Sequence, residues 1–175
     1  MSDKKPKIIL AGGGTLGSVS PLLAIASKYE AEYLFVGSHN GPEKKIIEDK
    51  GINFVVIKSG KLRRYFDWQN FADIIKIKWG FFQSLKIISK FKPDIILTAG
   101  SFVAVPVVWS AWLLRVPVVV HQQDIQVGLA NKLMAPFAKK ITVTFKEQVA
   151  DFKHSKVIIT GNPVRSMQIE ETYKP

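Results

Sequence analysis

The chain has 175 residues, and its 25 Lys and Arg against 14 Asp and Glu give a formal net charge of +11. This length fits one domain with its own hydrophobic core, and 47% hydrophobic residues with 22% charged ones are typical of a globular protein. The lack of cysteine excludes a disulfide scaffold, a thiol nucleophile and a cysteine-ligated metal site.

Short apolar runs alternate along the chain with longer segments of helical periodicity. The predicted strands are residues 7–11, 33–36, 53–57, 95–98, 116–121, 140–144 and 157–160. The predicted helices are residues 21–29, 42–50, 68–91, 105–114, 129–138 and 146–152. Because strands that are apolar along their whole length are buried on both faces, the alternation predicts an α/β fold, a doubly wound parallel sheet.

A glycine-rich turn follows the first predicted strand. Residues 12–17 read Gly-Gly-Gly-Thr-Leu-Gly and lead into a predicted helix, an arrangement that offers backbone N–H groups and a helix dipole to a phosphate. A nicotinamide dinucleotide site needs an acidic residue at the end of the second strand, where this chain has Gly37 and Ser38. The pattern favours another phosphate-bearing ligand, with a dinucleotide site and a purely structural turn as alternatives.

A second glycine turn, Gly100-Ser101-Phe102, follows the strand predicted at residues 95–98. The carboxyl ends of parallel strands in an open α/β sheet meet at one crevice, so we expect the two turns to face each other. Together they indicate a diphosphate more strongly than either turn alone. The alternative is that Gly100 only permits close packing of a helix on its strand.

Polar residues end the strand predicted at residues 116–121. His121 and Asp124, in the run His-Gln-Gln-Asp, are candidate binding or acid–base groups because they leave the strand beside the expected crevice. The alternative is a histidine hydrogen-bonded at the rim of the core and an aspartate that caps a turn. His39 and His154 lie in polar loops, where we expect them to be solvated, and no metal-ligand spacing appears.

The positive charge is concentrated in residues 58–92, which hold nine Lys and Arg against two Asp together with eight aromatic residues. An amphipathic helix with aromatic and basic side chains can lie in a lipid interface. The candidate membrane residues are Lys61, Arg63, Arg64, Phe66, Trp68, Phe71, Ile75, Lys78, Trp79 and Phe82. The alternatives are a crossover helix packed on the sheet and a surface for single-stranded nucleic acid, although no nucleic-acid motif accompanies the charge.

The longest apolar run, residues 102–114, is shorter than a membrane-spanning helix requires. We therefore expect any membrane contact to be peripheral. The N-terminal apolar run at residues 8–11 is likewise too short for a signal peptide.

Four motifs in order resemble the MurG family of bacterial N-acetylglucosaminyltransferases. They are GGTLGSVSP at residues 13–21, KPD at 92–94 with GSFVAVP at 100–106, PVVVHQQD at 117–124 with GLANK at 128–132, and GNPVR at 161–165. The resemblance covers residues 7–165 and implies one Rossmann-like half of a two-domain GT-B fold. Residues 1–165 would be the acceptor- and membrane-binding domain and residues 166–175 the start of a linker, with the UDP-sugar-binding domain beyond this sequence.

The resemblance implies transfer of N-acetylglucosamine from UDP-N-acetylglucosamine to a polyprenyl-diphosphate-linked muramoyl-peptide in peptidoglycan synthesis. The enzyme would invert the anomeric carbon, use no cofactor, bind an anionic membrane at its cytoplasmic face and bind no nucleic acid. This chain alone would be an inactive half. The alternative is a non-catalytic lipid-diphosphate-binding or membrane-recruiting subunit of a split transferase.

The resemblance also assigns site residues. The acceptor diphosphate would lie against Gly13, Gly14, Thr15, Gly17, Ser18, Gly100, Ser101 and Phe102. The acceptor cleft would add His121, Gln122, Gln123 and Asn162. The nucleotide-sugar would be approached by Thr15, Leu16, Gly17, Asp124 and Arg165.

The chain departs from the family pattern at two places that bear on the catalytic base. Ser18 stands where the family usually has histidine, and serine is no base near neutral pH without help. The family's His-Glu-Gln-Asn appears here as His-Gln-Gln-Asp, which moves the carboxylate two residues along. Asp124 is the only carboxylate in the glycine-loop and strand-end motifs, so we expect it to take the proton from the acceptor hydroxyl.

Overall fold

Seven parallel strands form one sheet in a computed structural model of the chain, which describes residues 5–39, 41–60 and 69–164 and only the backbone of residues 69–72 and 74. The strands are β1 (Lys7–Ala11), β2 (Glu32–Gly37), β3 (Asn53–Val56), β4 (Ile95–Thr98), β5 (Val118–Gln122), β6 (Lys140–Val143) and β7 (Val157–Ile159). Their order across the sheet is β3-β2-β1-β4-β5-β6-β7. The predicted parallel sheet is confirmed.

Within the described ranges, five α-helices connect these strands. They are α1 (Ser20–Ala26), α2 (Glu43–Glu48), α3 (Gln69–Phe91), α4 (Ala104–Leu113) and α5 (Leu129–Met134). Short 3₁₀ segments follow at Ala135–Phe137, Lys146–Asp151 and His154–Lys156.

Two predicted helices differ from the observed elements. The helix predicted over residues 129–138 ends at Met134 because Pro136 has no N–H to donate and restricts the residue before it. The helix predicted over residues 146–152 is a 3₁₀ segment, where the Gln148 carboxamide oxygen accepts the N–H of Phe145 at 2.8 Å. This hydrogen bond caps the start of the 3₁₀ segment, where the backbone of Phe145 is still extended.

Apolar side chains cover both faces of the sheet. Ile9 of β1 belongs to a core that includes Val108 of α4, on one face. Leu10, the next residue of β1, belongs to a second core with Leu22 of α1 and Ile47 of α2. Since neighbouring residues of a strand point to opposite faces, the fold is doubly wound, as the sequence predicted.

The direction of winding reverses between β1 and β4. The strands β2 and β3 lie on one side of β1, whereas β4 to β7 lie on the other. Ala11 and Thr98 are register partners, so β1 and β4 end at the same level. The helices that follow them, α1 and α4, pack on opposite faces of the sheet. A crevice at such a switch point is where ligands of open α/β sheets bind.

Candidate functional site

A cavity of about 410 Å³ opens at this switch point. Its walls come from the loops after β1 and β4, the end of β5 and the start of α5. The sequence-predicted residues that line it are Gly13, Gly14, Thr15, Ser18, Gly100, Ser101, Phe102, Gln122, Gln123 and Asp124. Lining residues that the sequence did not single out as site residues include Ser38, Ser59, Gly60, Gly128, Ala130 and Asn131.

Ser18 braces the first glycine loop from within. Its buried hydroxyl accepts the N–H of Gly13 at 3.4 Å and donates to the carbonyl of Thr15 at 3.3 Å. The oxygen that replaces the family's imidazole is thus engaged in the structure of the loop. Gly17 lies beside the cavity residue Gln123, and Leu16 is nearly half exposed.

The carboxylate of Glu43 supports the same loop from beneath. Glu43 is fully buried at the start of α2, and one of its oxygens accepts the N–H of Gly14 at 3.3 Å. The other oxygen accepts both the N–H of Ser38 at 3.0 Å and its hydroxyl at 2.6 Å. Glu43 is therefore a second carboxylate near the glycine loops, which the motifs alone did not reveal.

Glycines surround the Glu43 carboxylate, and they are the sequence signal that could have located it. A Cβ atom added to Gly13 or Gly41 would overlap the Glu43 carboxylate, and one added to Gly37 would overlap the ring of Phe54. Each position needs glycine because another group already fills the space of a side chain.

Ser101 joins the two glycine loops. Its hydroxyl donates to the carbonyl of Gly13 at 2.7 Å and accepts the N–H of Val103 at 3.3 Å, just before α4 begins. Gly100 has φ +100° and Ser101 has φ +87°. A non-glycine residue in that region is strained, and such strain recurs where a loop is shaped for a function. The two loops face each other, as their positions at the carboxyl ends of parallel strands predict.

His121 and Asn162 meet each other, and neither belongs to the lining of the cavity. The Nδ1 of His121 lies 2.9 Å from the hydroxyl of Thr142, and its Nε2 lies 3.2 Å from Oδ1 of Asn162. This geometry is that of a buried histidine hydrogen-bonded at the rim of the core, the alternative that the sequence left open. Burial is the main reason that the pKa of His121 is lowered, against smaller raising effects of the hydrogen bonds to Asn162 and Thr142.

The lowered pKa of His121 predicts that the folded protein loses stability in mild acid. An unfolded histidine titrates near pH 6.5, so the unfolded chain takes up the proton before the folded protein does. We expect the contribution of His121 to the free energy of unfolding to be complete above about pH 6.5 and to be lost as the pH falls toward the folded-state pKa. Urea unfolding across this range in the wild type and in His121→Gln measures it.

In His121→Gln the dependence of stability on pH should flatten in this window. The control is Asn53→Gln, an exchange between two amides that do not titrate at an exposed position, and it should leave the slope as in the wild type. A His121→Gln variant with the wild-type slope would show that other groups carry the pH dependence.

Of the two charged residues proposed to approach the nucleotide-sugar, the structure describes Asp124. The side chain of Asp124 is exposed and lines the cavity, so its carboxylate is open to a ligand. Arg165, the other charged residue proposed to reach the nucleotide-sugar, lies outside the described residues.

The long helix α3 has an exposed apolar face. Ile75, Trp79 and Phe82, at steps of four and three residues, are each more than half exposed, and Lys78 beside them is also exposed. The Lys58 ammonium group lies 5.7 Å from the centre of the Trp79 ring. The opposite side of the helix is buried and includes Ile77, Ser84 and Ile88. The buried side is that of a crossover helix packed into the core, and the membrane interface stays a prediction for the exposed side.

Other predicted membrane residues lie outside what the structure describes. These are Lys61, Arg63, Arg64, Phe66 and Trp68, together with the side chain of Phe71. The end of α4 adds exposed apolar residues that the sequence did not single out, Trp112 and Leu113, with the Trp112 ring 5.3 Å from that of Phe137. Among the helices of the described residues, none combines the length and apolar character needed to cross a membrane.

Comparison with known proteins places the chain in a family. Residues 8–143 match the glycosyltransferase family 28 N-terminal domain. The curated UDP-N-acetylglucosamine--N-acetylmuramyl-(pentapeptide) pyrophosphoryl-undecaprenol N-acetylglucosamine transferase of Clostridium botulinum (strain 657 / Type Ba4) is 49% identical over 167 residues, 94% of this chain and 47% of the relative. The protein of the same name from Clostridium novyi (strain NT) is 48% identical over 175 residues, 97% of this chain and 47% of the relative.

The chain spans about half the length of these curated relatives, and the same proportion holds for solved structures. It superposes on a crystal structure of Acinetobacter baumannii MurG with a TM-score of 0.76 at 24% identity, covering 97% of this chain and 48% of that one. A Neisseria meningitidis UDP-GlcNAc 2-epimerase bound to UDP-GlcNAc gives 0.64 at 12%, covering 89% and 46%.

At these identities the structural likeness shows the fold alone, a Rossmann-like domain that forms one half of a GT-B arrangement. The curated relatives and the matched domain confirm the resemblance to the MurG family that the motifs carry. The chain belongs to glycosyltransferase family 28, of which it contains the N-terminal domain.

Proposed function

We propose that this chain is the acceptor- and membrane-binding half of a transferase that moves N-acetylglucosamine from UDP-N-acetylglucosamine to a polyprenyl-diphosphate-linked muramoyl-peptide. The observation that carries the proposal is the convergence of three shared motifs on one cavity, from the loops after β1 and β4 and the end of β5. The name of the curated Clostridium botulinum relative, 49% identical over most of this chain, supplies the reaction.

The cavity has the size expected of a ligand site. Its volume of about 410 Å³ falls within the usual range of ligand pockets. The amides of Gly13 and Gly14 already donate within the fold, to Ser18 and Glu43, through long hydrogen bonds of 3.4 and 3.3 Å. We infer that the first loop mainly shapes the wall, and that the acceptor diphosphate lies along both loops toward Ser101 and Phe102.

In the proposed reaction, Asp124 removes the proton from the acceptor hydroxyl. The hydroxyl oxygen then attacks the anomeric carbon of N-acetylglucosamine, the bond from that carbon to the diphosphate breaks, and UDP leaves with the bonding electrons. Asp124 suits the role because its carboxylate is exposed at the cavity, whereas the hydroxyl of Ser18 is held inside its loop. We place Thr15, Leu16 and Gly17 toward the nucleotide-sugar.

We propose that the domain docks on the cytoplasmic face of the membrane through α3. The exposed rings of Trp79 and Phe82 supply apolar contact, and Lys78 beside them suits an anionic surface. The net charge of +11 favours the same partner. The docking surface would bring the cavity toward a lipid-linked acceptor.

Replacing both Trp79 and Phe82 with glutamine should lower binding to anionic vesicles by at least about tenfold. Burial of each ring contributes roughly 1.5–3 kcal/mol, and both contributions are removed. Flotation with vesicles of mixed neutral and anionic lipid measures the loss. The control is Tyr29→Gln, which removes an aromatic side chain of similar exposure in the turn after α1 and should bind as the wild type does.

Wild-type flotation of the double variant would contradict the docking surface. Salt-sensitive binding of oligonucleotides without binding of vesicles would contradict the membrane proposal and favour a nucleic-acid partner.

The acceptor role can be tested on the chain as it stands. We expect it to bind vesicles more tightly when they contain the undecaprenyl-diphosphate-linked muramoyl-pentapeptide than when they contain undecaprenyl phosphate. Equal binding to both would contradict the proposal.

Catalysis can be followed in a fusion protein that joins residues 1–165 to the carboxyl-terminal half of the Clostridium botulinum relative. This protein is called the fusion below.

A further inference from the structure

Three buried carboxamide side chains stand behind the loop that carries Asp124. They are Gln122 at the end of β5, Asn131 in α5 and Gln148 in the 3₁₀ segment Lys146–Asp151, and each is more than nine-tenths buried. The mechanism proposed above uses none of them.

Gln122 lies at the centre of this cluster. Its amide nitrogen donates to the backbone carbonyl of Asp124 at 2.6 Å and to that of Gln126 at 3.2 Å. Its amide oxygen accepts a hydrogen bond from the side-chain nitrogen of Asn131 at 2.6 Å. Because carbonyl oxygens only accept, the nitrogen of Gln122 must face the loop and its oxygen must face Asn131.

The neighbouring carboxamides leave no freedom in that orientation. The nitrogen of Asn131 also donates to the backbone carbonyl of His121 at 3.2 Å. Gln148 donates a further hydrogen bond to the Asp124 carbonyl while its oxygen accepts the N–H of Phe145. Flipping any one amide would set acceptor against acceptor in a buried site, which is costly.

The loop depends on these main-chain contacts. The side chains of Asp124, Ile125 and Gln126 are all exposed, and Val127 is the next buried residue. Asp124 is the second residue after β5, and the two donors on its backbone carbonyl fix the main chain from which its carboxylate extends. A proton acceptor must be held within a fraction of an ångström of its working position to be effective.

We propose that Gln122 is a positioning residue for Asp124, an inference that rests on the proposed function. A glutamate at 122, as in the family pattern, would put an acceptor-only carboxylate against two carbonyl oxygens in a buried site. In this chain the carboxylate stands at 124 and the donor that holds its loop stands at 122.

The test is a double-mutant cycle in the fusion. Gln122→Glu should lower kcat by about tenfold or more and leave the KM for UDP-N-acetylglucosamine within about twofold. In the Asp124→Asn background the same change should lower kcat less than about twofold, since there is no base left to misplace. Gln122→Met, which removes the donors without adding charge, should behave in the same way.

The control is Asn53→Asp at the start of β3. This exposed residue undergoes the same amide-to-carboxylate exchange at the edge of the sheet opposite the cavity, so kcat should stay at the wild-type value in both backgrounds. Equal fold-losses from Gln122→Glu with and without Asp124 would overturn the proposal, and so would full activity of Gln122→Met.

Backbone ¹⁵N relaxation on the 175-residue chain separates this inference from the proposed function. We expect the order parameters of residues 124–127 to fall below about 0.6 in Gln122→Met, with β1 and β2 as in the wild type. Unchanged order parameters in the loop overturn the proposal. An inactive wild-type fusion overturns the proposed function, whereas the relaxation result still decides whether Gln122 holds the loop.

Discussion

Replacing Asp124 with asparagine in the fusion should lower kcat for sugar transfer by about 100-fold or more, the usual contribution of a general base. Asparagine has nearly the shape of aspartate but cannot take a proton. The side chain is exposed, so the substitution should leave folding intact. The KM for UDP-N-acetylglucosamine should stay within about twofold, because most of that ligand's contacts are proposed to lie in the other half. Steady-state kinetics with saturating acceptor measure both constants.

Asp151→Asn is the matched control, since Asp151 is an exposed aspartate on the surface segment before Phe152. It should keep the wild-type rate. If Asp124→Asn turned over at the wild-type rate, the assignment of the base would be wrong. Glu43 would then be the next carboxylate to replace, because it touches the first glycine loop.

The second large effect should come from Gly13→Ala, which we expect to lower the free energy of unfolding by about 3 kcal/mol. Gly13 has φ +148°, where side chains are strained, and a Cβ there would overlap the Glu43 carboxylate. That carboxylate is buried and hydrogen-bonded to Ser38, so it cannot move away without losing those bonds. Urea unfolding measures the loss.

Gly128→Ala provides the control for the loss of a glycine. Gly128 has φ −67° and open space where a Cβ would lie, so alanine there should cost only the weaker N-cap of α5, less than about 1 kcal/mol. Combining Gly13→Ala with Glu43→Ala removes the overlap. The double variant should therefore lose less free energy of unfolding than the sum of the losses in the two single variants. Strict additivity would contradict the steric account.

The sheet could be predicted from the sequence because its strands carry a purely local signal. Residues 8–11 are all apolar and all buried, and such a run has few alternatives in a chain of alternating strands and helices. The ends of the strands were harder to predict from the sequence. The strand predicted from residue 116 begins at Val118, because Arg115 has φ +58° and the N–H of Val116 still donates to Ala111 at the end of α4.

The glycine loops could be predicted because each follows its strand directly and parallel strands end at one edge of the sheet. Glu43 could not, since its contact with Gly14 joins residues 29 positions apart across two loops. The same holds for His121, which the resemblance put in the acceptor cleft. Its neighbours Thr142 and Asn162 come from β6 and from the segment after β7, so its place was decided by tertiary packing.

The charge pattern predicts a membrane surface within residues 58–92, but the sequence did not show which face of α3 would form it. The period of the aromatic residues in α3 did not say which face is buried, because both faces are largely apolar. Packing against α4, where the Ser110 hydroxyl donates to the carbonyl of Phe81, leaves Trp79 and Phe82 outward.

The most direct test of the proposed function is transfer of labelled N-acetylglucosamine by the fusion to the lipid-linked muramoyl-pentapeptide in anionic vesicles. We predict a labelled lipid product that requires the acceptor and both halves of the fusion. Binding of acceptor vesicles without any transfer would contradict the account and favour a non-catalytic subunit that binds lipid diphosphates. Transfer that proceeded equally well without the lipid-linked acceptor would contradict the assignment of this chain as the acceptor half.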